Sequence, residues 1–188
     1  MKQLAQAASN GIDVRADARF ENINRWTLLM MQIFESRSFL SLAETTHQIH
    51  PKSSMEEVLT QQALFRGFLL SYGKCFASGG KGRMKLDPKN VYSQSVDLMD
   101  IHDRIMELRH KFAAHADASG LDEAVISVQE REDHFQVSHL YSVANPLHEY
   151  ADYRRALDIL DEHVVAGVNN ALNSLEGQLG KKILVHQG

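Results

Sequence analysis

Four long stretches of this chain carry apolar residues at steps of three and four, the spacing that lines one face of an α-helix. The third stretch has a narrow apolar seam formed by Leu98, Ile101, Ile105, Leu108 and Phe112. Gly and Pro mark the breaks between stretches, and no internal repeat appears. A helix with one apolar face must bury that face against another element. The pattern therefore predicts a mainly α fold of four long helices in one domain covering residues 1–188.

Capping residues set the predicted helix boundaries. Ser53 or Ser54 begins the second helix, because each is followed three residues later by a glutamate in the capping-box arrangement. Asn145 and Pro146 have the residue types of an N-cap and a first helical position, so the last helix should start there. We expect the four helices at about residues 17–43, 54–78, 94–116 and 146–179.

The hydrophobic period shortens to two between the third and last helices. One alternating run consists of Ala124, Ile126 and Val128. A second alternating run consists of Phe135, Val137, His139 and Tyr141. A charged turn at residues 131–134 separates the two runs. This predicts a small β-hairpin at about residues 123–143, inserted before the last helix.

Apolar runs and cysteine usage indicate the compartment. The N-terminus lacks the apolar run of a secretory signal, and no segment approaches the roughly 18 apolar residues that span a bilayer. The single cysteine, Cys75, excludes an intramolecular disulfide and lies in an apolar helical pattern. We therefore expect a cytoplasmic protein with no membrane partner, in which Cys75 is a small buried hydrophobe.

Charge is distributed unevenly along the chain, although the net charge is only -4. A basic segment, residues 66–89, has a single acid, Asp87, against six cations, which are Arg66, Lys74, Lys81, Arg83, Lys85 and Lys89. Residues 121–162, in contrast, hold ten acids and three arginines. The glycine-rich part of the basic segment lacks the Walker spacing and a preceding strand, so it is predicted to be a flexible basic linker and no nucleotide site. One surface should attract phosphate while another repels it.

Ten histidines make a metal site the first chemistry to test. The chain has no His-Glu-x-x-His, and the couples His47 with His50 and His110 with His115 lack a third ligand at metal-binding spacing. It also has no Gly-x-Ser-x-Gly elbow and no Rossmann glycine fingerprint. We therefore predict neither a metal nor a cofactor.

The candidate site is Leu-Arg-His-Lys-Phe-Ala-Ala-His-Ala-Asp, residues 108–117. Arg109 offers a permanently charged planar fork for phosphate oxygens, and His115 can exchange a proton near pH 7. This chemistry suits cleavage of RNA by its own 2'-hydroxyl, which needs no metal. The alternative is structural, with His115 as a core or interface histidine and Arg109 paired with an acid of another helix.

Helix geometry limits how Arg109 and His115 can cooperate. Six residues at 100° each place the two side chains about 120° apart and about 9 Å along the axis. They meet only if Arg109 reaches around the helix, if the last turn is distorted, or if a two-fold axis brings His115 of a second copy to Arg109.

The same ten residues resemble the Arg-x(4 to 6)-His signature of the HEPN superfamily, particularly its abortive-infection-like branch. The order of helices agrees with that family, apart from the inserted hairpin and the unusual His110. The resemblance implies a homodimeric up-and-down helical bundle, in many members a metal-independent endoribonuclease, and in some a toxin with an antitoxin partner or a phage-defence component. It implies that Arg109 holds the scissile phosphate, that His115 is the general acid or base, and that His110 orients the phosphate or groups of the partner subunit.

The first hypothesis is accordingly a homodimeric ribonuclease with Arg109 and His115 in an interface cleft. The expected RNA-binding residues are His110, Lys111, Lys74, Lys81 and Arg83. A second hypothesis is a non-catalytic module of the same fold that recognises RNA or a partner protein. A third, an enzyme acting on a small metabolite, would require a closed pocket.

Overall fold

The computed structural model describes residues 18–46, 54–80, 82–93, 95–114, 122–143 and 146–184. Its α-helices and strands are α1 (Glu21–Thr45), α2 (Met55–Phe76), α3 (Pro88–Val91), α4 (Val96–Leu108), β1 (Asp122–Glu130), β2 (Phe135–Val143) and α5 (Tyr150–Leu179). A π-helical segment, Arg109–Ala114, continues α4, and 3-10 turns, Ala18–Phe20 and Leu147–Glu149, precede α1 and α5. The predicted mainly α fold, with a hairpin before the last helix, is confirmed.

The second helix begins at its predicted capping box. Ser54 Oγ accepts a hydrogen bond from the Glu57 amide at 3.2 Å, and Glu57 Oε2 accepts one from the Ser54 amide at 2.8 Å. Helix α4, the third of the four long helices, begins similarly, because Ser95 Oγ accepts a hydrogen bond from the Leu98 amide at 3.3 Å. Side-chain oxygens thus satisfy amides that have no partner within the first turn.

Two features of the helices differ from the prediction. The last α-helix begins at Tyr150, after the 3-10 turn, because Pro146 has a ψ of 65° and is not helical; Asn145 lies outside the described residues. The basic segment also contains a helix that the sequence pattern missed, α3, whose N-cap Asp87 accepts from the Lys89 amide at 3.0 Å. One turn of helix is too short to produce a readable hydrophobic period.

The segment that follows the predicted glycine-rich linker is anchored to the bundle. The Leu86 amide donates to the Cys75 carbonyl oxygen at 2.9 Å. Leu86, Val91 and Tyr92 are buried in the main core. Burial of these three side chains holds the segment against the C-terminal end of α2.

Aromatic side chains of α2 form the centre of the core. Phe65 stacks on Tyr150 of α5 with ring centroids 5.6 Å apart, and Phe68 stacks on Tyr153 at the same separation. Helix α1 packs against both α2 and α5, and α4 packs against α5. Large rings bury more apolar area per residue than aliphatic side chains, so this cluster accounts for much of the packing between the helices.

A chain of three polar side chains crosses this apolar core. Tyr72 Oη lies 2.8 Å from both Tyr92 Oη and His102 Nδ1, and Tyr92 Oη donates to the Ala156 carbonyl oxygen at 3.2 Å. Burial raises the pKa of both tyrosines, so their hydroxyls stay protonated. Three contacts need three hydrogens and the hydroxyls supply two, so His102 Nδ1 carries the third. The chain joins α2, the α3–α4 connection, α4 and α5.

Replacing Tyr72 with phenylalanine should lower the free energy of unfolding by about 1–3 kcal/mol, because the buried His102 Nδ1 and Tyr92 hydroxyl both lose a partner. The matched control is Tyr150→Phe. The Tyr150 hydroxyl is buried and has no hydrogen-bond partner among the described residues, so its removal should change stability by less than about 0.5 kcal/mol. Urea denaturation of the wild type and the two variants measures both values. Equal losses of stability in the two variants would contradict the hydrogen bonds assigned to Tyr72.

Acid should weaken the fold through His102. Burial lowers the pKa of His102 below its ordinary value, so the unfolded chain takes up a proton first as the pH falls. Stability contributed by the neutral imidazole is complete above about pH 6.5 and declines below it, by at most about 1.4 kcal/mol per pH unit. Denaturation curves at pH 7.5 and 5.5 should show a smaller pH effect for His102→Gln than for wild type. An equal effect in both proteins would exclude His102 as the cause.

Candidate functional site

The predicted site lies where the helical geometry changes. α4 ends at Leu108, and Arg109–Ala114 form a π-helical turn that packs against α2 and α4. π-helical turns are rare and occur frequently at functional sites. The last turn is therefore distorted, as one of the routes for joining Arg109 and His115 requires. His115 itself lies outside the described residues.

Arg109 crosses α2 at a glycine. A Cβ atom built on Gly73 would lie 2.5 Å from Arg109 Nε and closer still to its Cδ, so only glycine leaves room for this side chain. Arg109 Nε is buried and has no hydrogen-bond partner among the described residues. A buried N–H donor without a partner is costly, and a phosphate oxygen would satisfy it.

His110 and Lys111 both lie at the surface. Lys111 Nζ forms an ion pair with Glu107 Oε1 at 2.7 Å, one helical turn earlier. Hydrogen bonds from Lys111 and Arg104 lower the pKa of Glu107. Because exposed pairs of this kind contribute about 0–1 kcal/mol, a phosphate can displace Glu107 from Lys111 at little cost.

An ion pair fixes the start of α5 against α4 beside the site. Arg104 donates to both carboxylate oxygens of Glu149, at 3.0 and 3.1 Å, and Tyr153 Oη donates to the same carboxylate at 2.5 Å. Burial acts to raise the pKa of Glu149, but the hydrogen bonds from Arg104 and Tyr153 outweigh it and the net pKa is lowered. Glu149 is therefore a charged anchor at neutral pH, and Arg104 is occupied by it.

The predicted RNA-binding residues of the basic segment are partly visible. Lys74 directly follows Gly73 and is exposed, and Arg83 is exposed with its side chain against Gly79. Lys81 lies outside the described residues. The exposed lysines Lys85 and Lys89 belong to the same anchored segment. Lys74 thus neighbours the contact of Arg109 with Gly73 along α2, while Arg83 lies beyond the C-terminal end of α2.

Three further features of the described residues bear on thiol chemistry, metal binding and membrane insertion. Cys75 is fully buried, and burial raises the pKa of its thiol to about 12, so it is a poor nucleophile. In the described part of the chain, no three His, Cys, Asp or Glu side chains are grouped to hold a metal ion. No helix there is long and apolar enough to cross a membrane.

A cleft of about 500 Å³ lies between the α3–α4 connection and α5. Its polar lining residues are Asn90, Ser93, Ser95, Glu162 and His163. The cleft does not include Arg109 or any other residue of the π-helical turn. It is therefore separate from the site that the sequence predicts.

Sequence reasoning missed the residues that position Arg109. Gly73 lies inside an amphipathic helix, where glycine costs about 1 kcal/mol relative to alanine, so its presence was a signal of a close approach. The Arg104, Glu149 and Tyr153 cluster gave no signal, because Arg104 lies 45 positions before Glu149 and residues of these types are common at surfaces.

Comparison with known proteins adds no relative to this description. No protein-family model, no curated protein and no solved structure matches the chain significantly. The assignment of a function therefore depends on the residues themselves.

Replacing Gly73 with alanine should destabilise the protein by about 1–3 kcal/mol, because the new methyl group collides with Arg109. In an Arg109→Ala background the collision is absent. The same change should then be neutral or stabilising by up to about 1 kcal/mol, since alanine favours the helix. Unfolding free energies of the four proteins form a double-mutant cycle that measures this coupling.

The control for this cycle is Gly177→Ala. Gly177 is an exposed residue of α5, and no atom lies within 4 Å of a Cβ built on it, so alanine should stabilise the protein by about 0.5–1 kcal/mol. If Gly73→Ala cost the same in both backgrounds, the Arg109 side chain would not lie against Gly73 in solution.

Proposed function

We propose that this protein is a metal-independent endoribonuclease of the HEPN type, with a composite site formed by Arg109 and His115 at a homodimer interface. The observation that carries the proposal is the setting of Arg109, whose buried Nε has no partner among the described residues. Gly73 makes room for this side chain. Two lysines add positive charge nearby in sequence, Lys74 directly after Gly73 and Lys111 two residues after Arg109. The described surroundings of Arg109 favour a bound anion.

In the proposed reaction the 2'-oxygen of RNA bonds to the adjacent phosphorus and the bond from phosphorus to the 5'-oxygen breaks. Arg109 neutralises the phosphate oxygens through its planar fork. His115 serves as the general base, which accepts a proton from the 2'-hydroxyl, and as the general acid, which gives a proton to the leaving 5'-oxygen. A dimer supplies two copies of His115, one for each role. Lys74, Lys81 and Arg83 would hold the RNA backbone, with His110 and Lys111 near the reacting phosphate.

The same proposal includes a cytoplasmic role as a toxin or a phage-defence component that an antitoxin protein restrains. The second candidate function is an RNA-binding module without catalysis. It is favoured by the exposure of Lys74, Arg83, Lys85 and Lys89, whose charges would bind a phosphate backbone without any help from His115.

Purified protein should cleave single-stranded RNA in the presence of EDTA and leave a 2',3'-cyclic phosphate end. His115→Ala should reduce the rate by about 10²–10⁴-fold, the usual contribution of a general acid or base. Arg109→Ala should reduce it as well, while both variants keep the circular dichroism spectrum of the wild type. Gel analysis of end-labelled RNA measures the rates.

The matched control is His134→Ala. His134 is an exposed histidine in the hairpin turn that contacts Asp133, so its removal should leave the cleavage rate unchanged. RNA that is bound in a salt-dependent way, weakened by Arg109→Ala and never cut, would reject catalysis and support the binding module. Cleavage that His115→Ala retains would exclude His115 as the catalytic group.

A further inference from the structure

The β-hairpin makes little contact with the described helices, since its strands pair mainly with each other. One of its faces is apolar and uncovered: Ile126, Val128, Phe135 and Val137 are each more than half exposed. A two-stranded hairpin is only marginally stable in water, and a third or fourth strand is what usually stabilises it. The hairpin would therefore gain stability from a further strand at one of its free edges.

The hydrogen-bond pattern shows which groups face outward. The Arg131 amide donates to the His134 carbonyl oxygen at 2.8 Å, so this pair is a hydrogen-bonded one. Hydrogen-bonded and non-hydrogen-bonded pairs alternate along an antiparallel ladder. Val128 and Val137 lie opposite each other three positions further from the turn, in a non-hydrogen-bonded pair. Their N–H and C=O groups therefore point away from the partner strand, toward the free edges of the sheet.

The two free edges differ in charge. β1 carries Asp122, Glu123 and Glu130, and the turn adds Glu132 and Asp133. β2, Phe-Gln-Val-Ser-His-Leu-Tyr-Ser-Val, has no Asp, Glu, Lys, Arg or Pro over nine residues. Charges and prolines are the usual devices that keep an edge strand from pairing. The β1 edge has such protection and the β2 edge has none.

We propose that β2 pairs with β2 of a second copy of this chain, giving an antiparallel four-stranded sheet in the order β1–β2–β2–β1. This charge distribution selects the occupant: two β2 strands bring no like charges together, whereas pairing through β1 would set carboxylates of one copy beside those of the other. The acids then lie on the two outer strands. The inference rests on the hairpin alone and does not depend on RNA cleavage.

The β2 sequence is also compatible with itself in the antiparallel direction. In a full nine-residue overlap centred on position 139, positions 135 and 137 of one copy come opposite positions 143 and 141 of the other. These positions hold Phe and Val against Val and Tyr, so apolar residue types meet apolar ones. Aromatic and β-branched pairs of this kind stabilise neighbouring strands. The register also aligns the outward-facing backbone groups of both copies.

The test is sedimentation equilibrium of the full-length chain and of two proline variants, Val137→Pro and Val128→Pro. Both valines are exposed to a similar extent, 53% and 58%, and both have outward-facing amides, so neither proline removes a bond between β1 and β2. The wild type should sediment as a dimer of the 21.2 kDa chain. Val137→Pro should raise the dissociation constant about tenfold or more, and Val128→Pro should leave it unchanged.

A monomeric wild type, or a dimer that both prolines leave intact, would overturn the inference. A dimer that both prolines leave intact would still be compatible with contact through the π-helical turns and with the proposed ribonuclease. If both prolines raised the dissociation constant equally, edge pairing would be wrong and contact through the apolar face would explain the dimer. The pair Val137→Lys and Val128→Lys repeats the comparison without proline, and amide hydrogen exchange at Phe135 should be slow only in proteins that dimerise.

Discussion

Burial of α2 is the constraint on which the rest of this fold depends. α1, α4 and the π-helical turn pack directly against this helix, and the rings of α5 stack on its aromatic residues. Few residues of α2 can therefore change without disturbing one of these neighbours. Close packing makes even one added methyl group costly in such a helix. Gly73 shows this most directly, because the space that it leaves is filled by Arg109.

The structure explains why a polar chain is tolerated in so apolar a core. Tyr72, Tyr92 and His102 satisfy one another and end on the Ala156 carbonyl oxygen, so each donor has an acceptor. A fully satisfied network restricts how the helices can pack, since a shifted helix would leave a buried hydroxyl without a partner. The Tyr150 hydroxyl, which has no hydrogen-bond partner among the described residues, does not belong to this network.

Local patterns in the sequence predicted what depends on neighbouring residues. The capping box at Ser54, the long helices and the hairpin follow from spacing and were found correctly. The contact of Arg109 with Gly73 joins residues 36 positions apart, so the glycine signals a close approach but the sequence does not say which residue makes it. A distorted last turn was only one of the possibilities that the sequence left open, because the apolar spacing of the π-helical turn continues that of α4. Of the candidate site, the sequence predicted the residue types, whereas tertiary packing determines the setting of Arg109.

Symmetry links the two proposals. A closed dimer has a single two-fold axis, so a dimer that pairs β2 strands and also joins the sites around Arg109 must place both contacts on that axis. If the contacts lie on different axes, each copy has two separate self-complementary surfaces, and the chains must form a closed tetramer or an open polymer instead. The size of the assembly thus reports the geometry: a dimer with both contacts requires the hairpin and the π-helical turn to lie on the same side of the bundle.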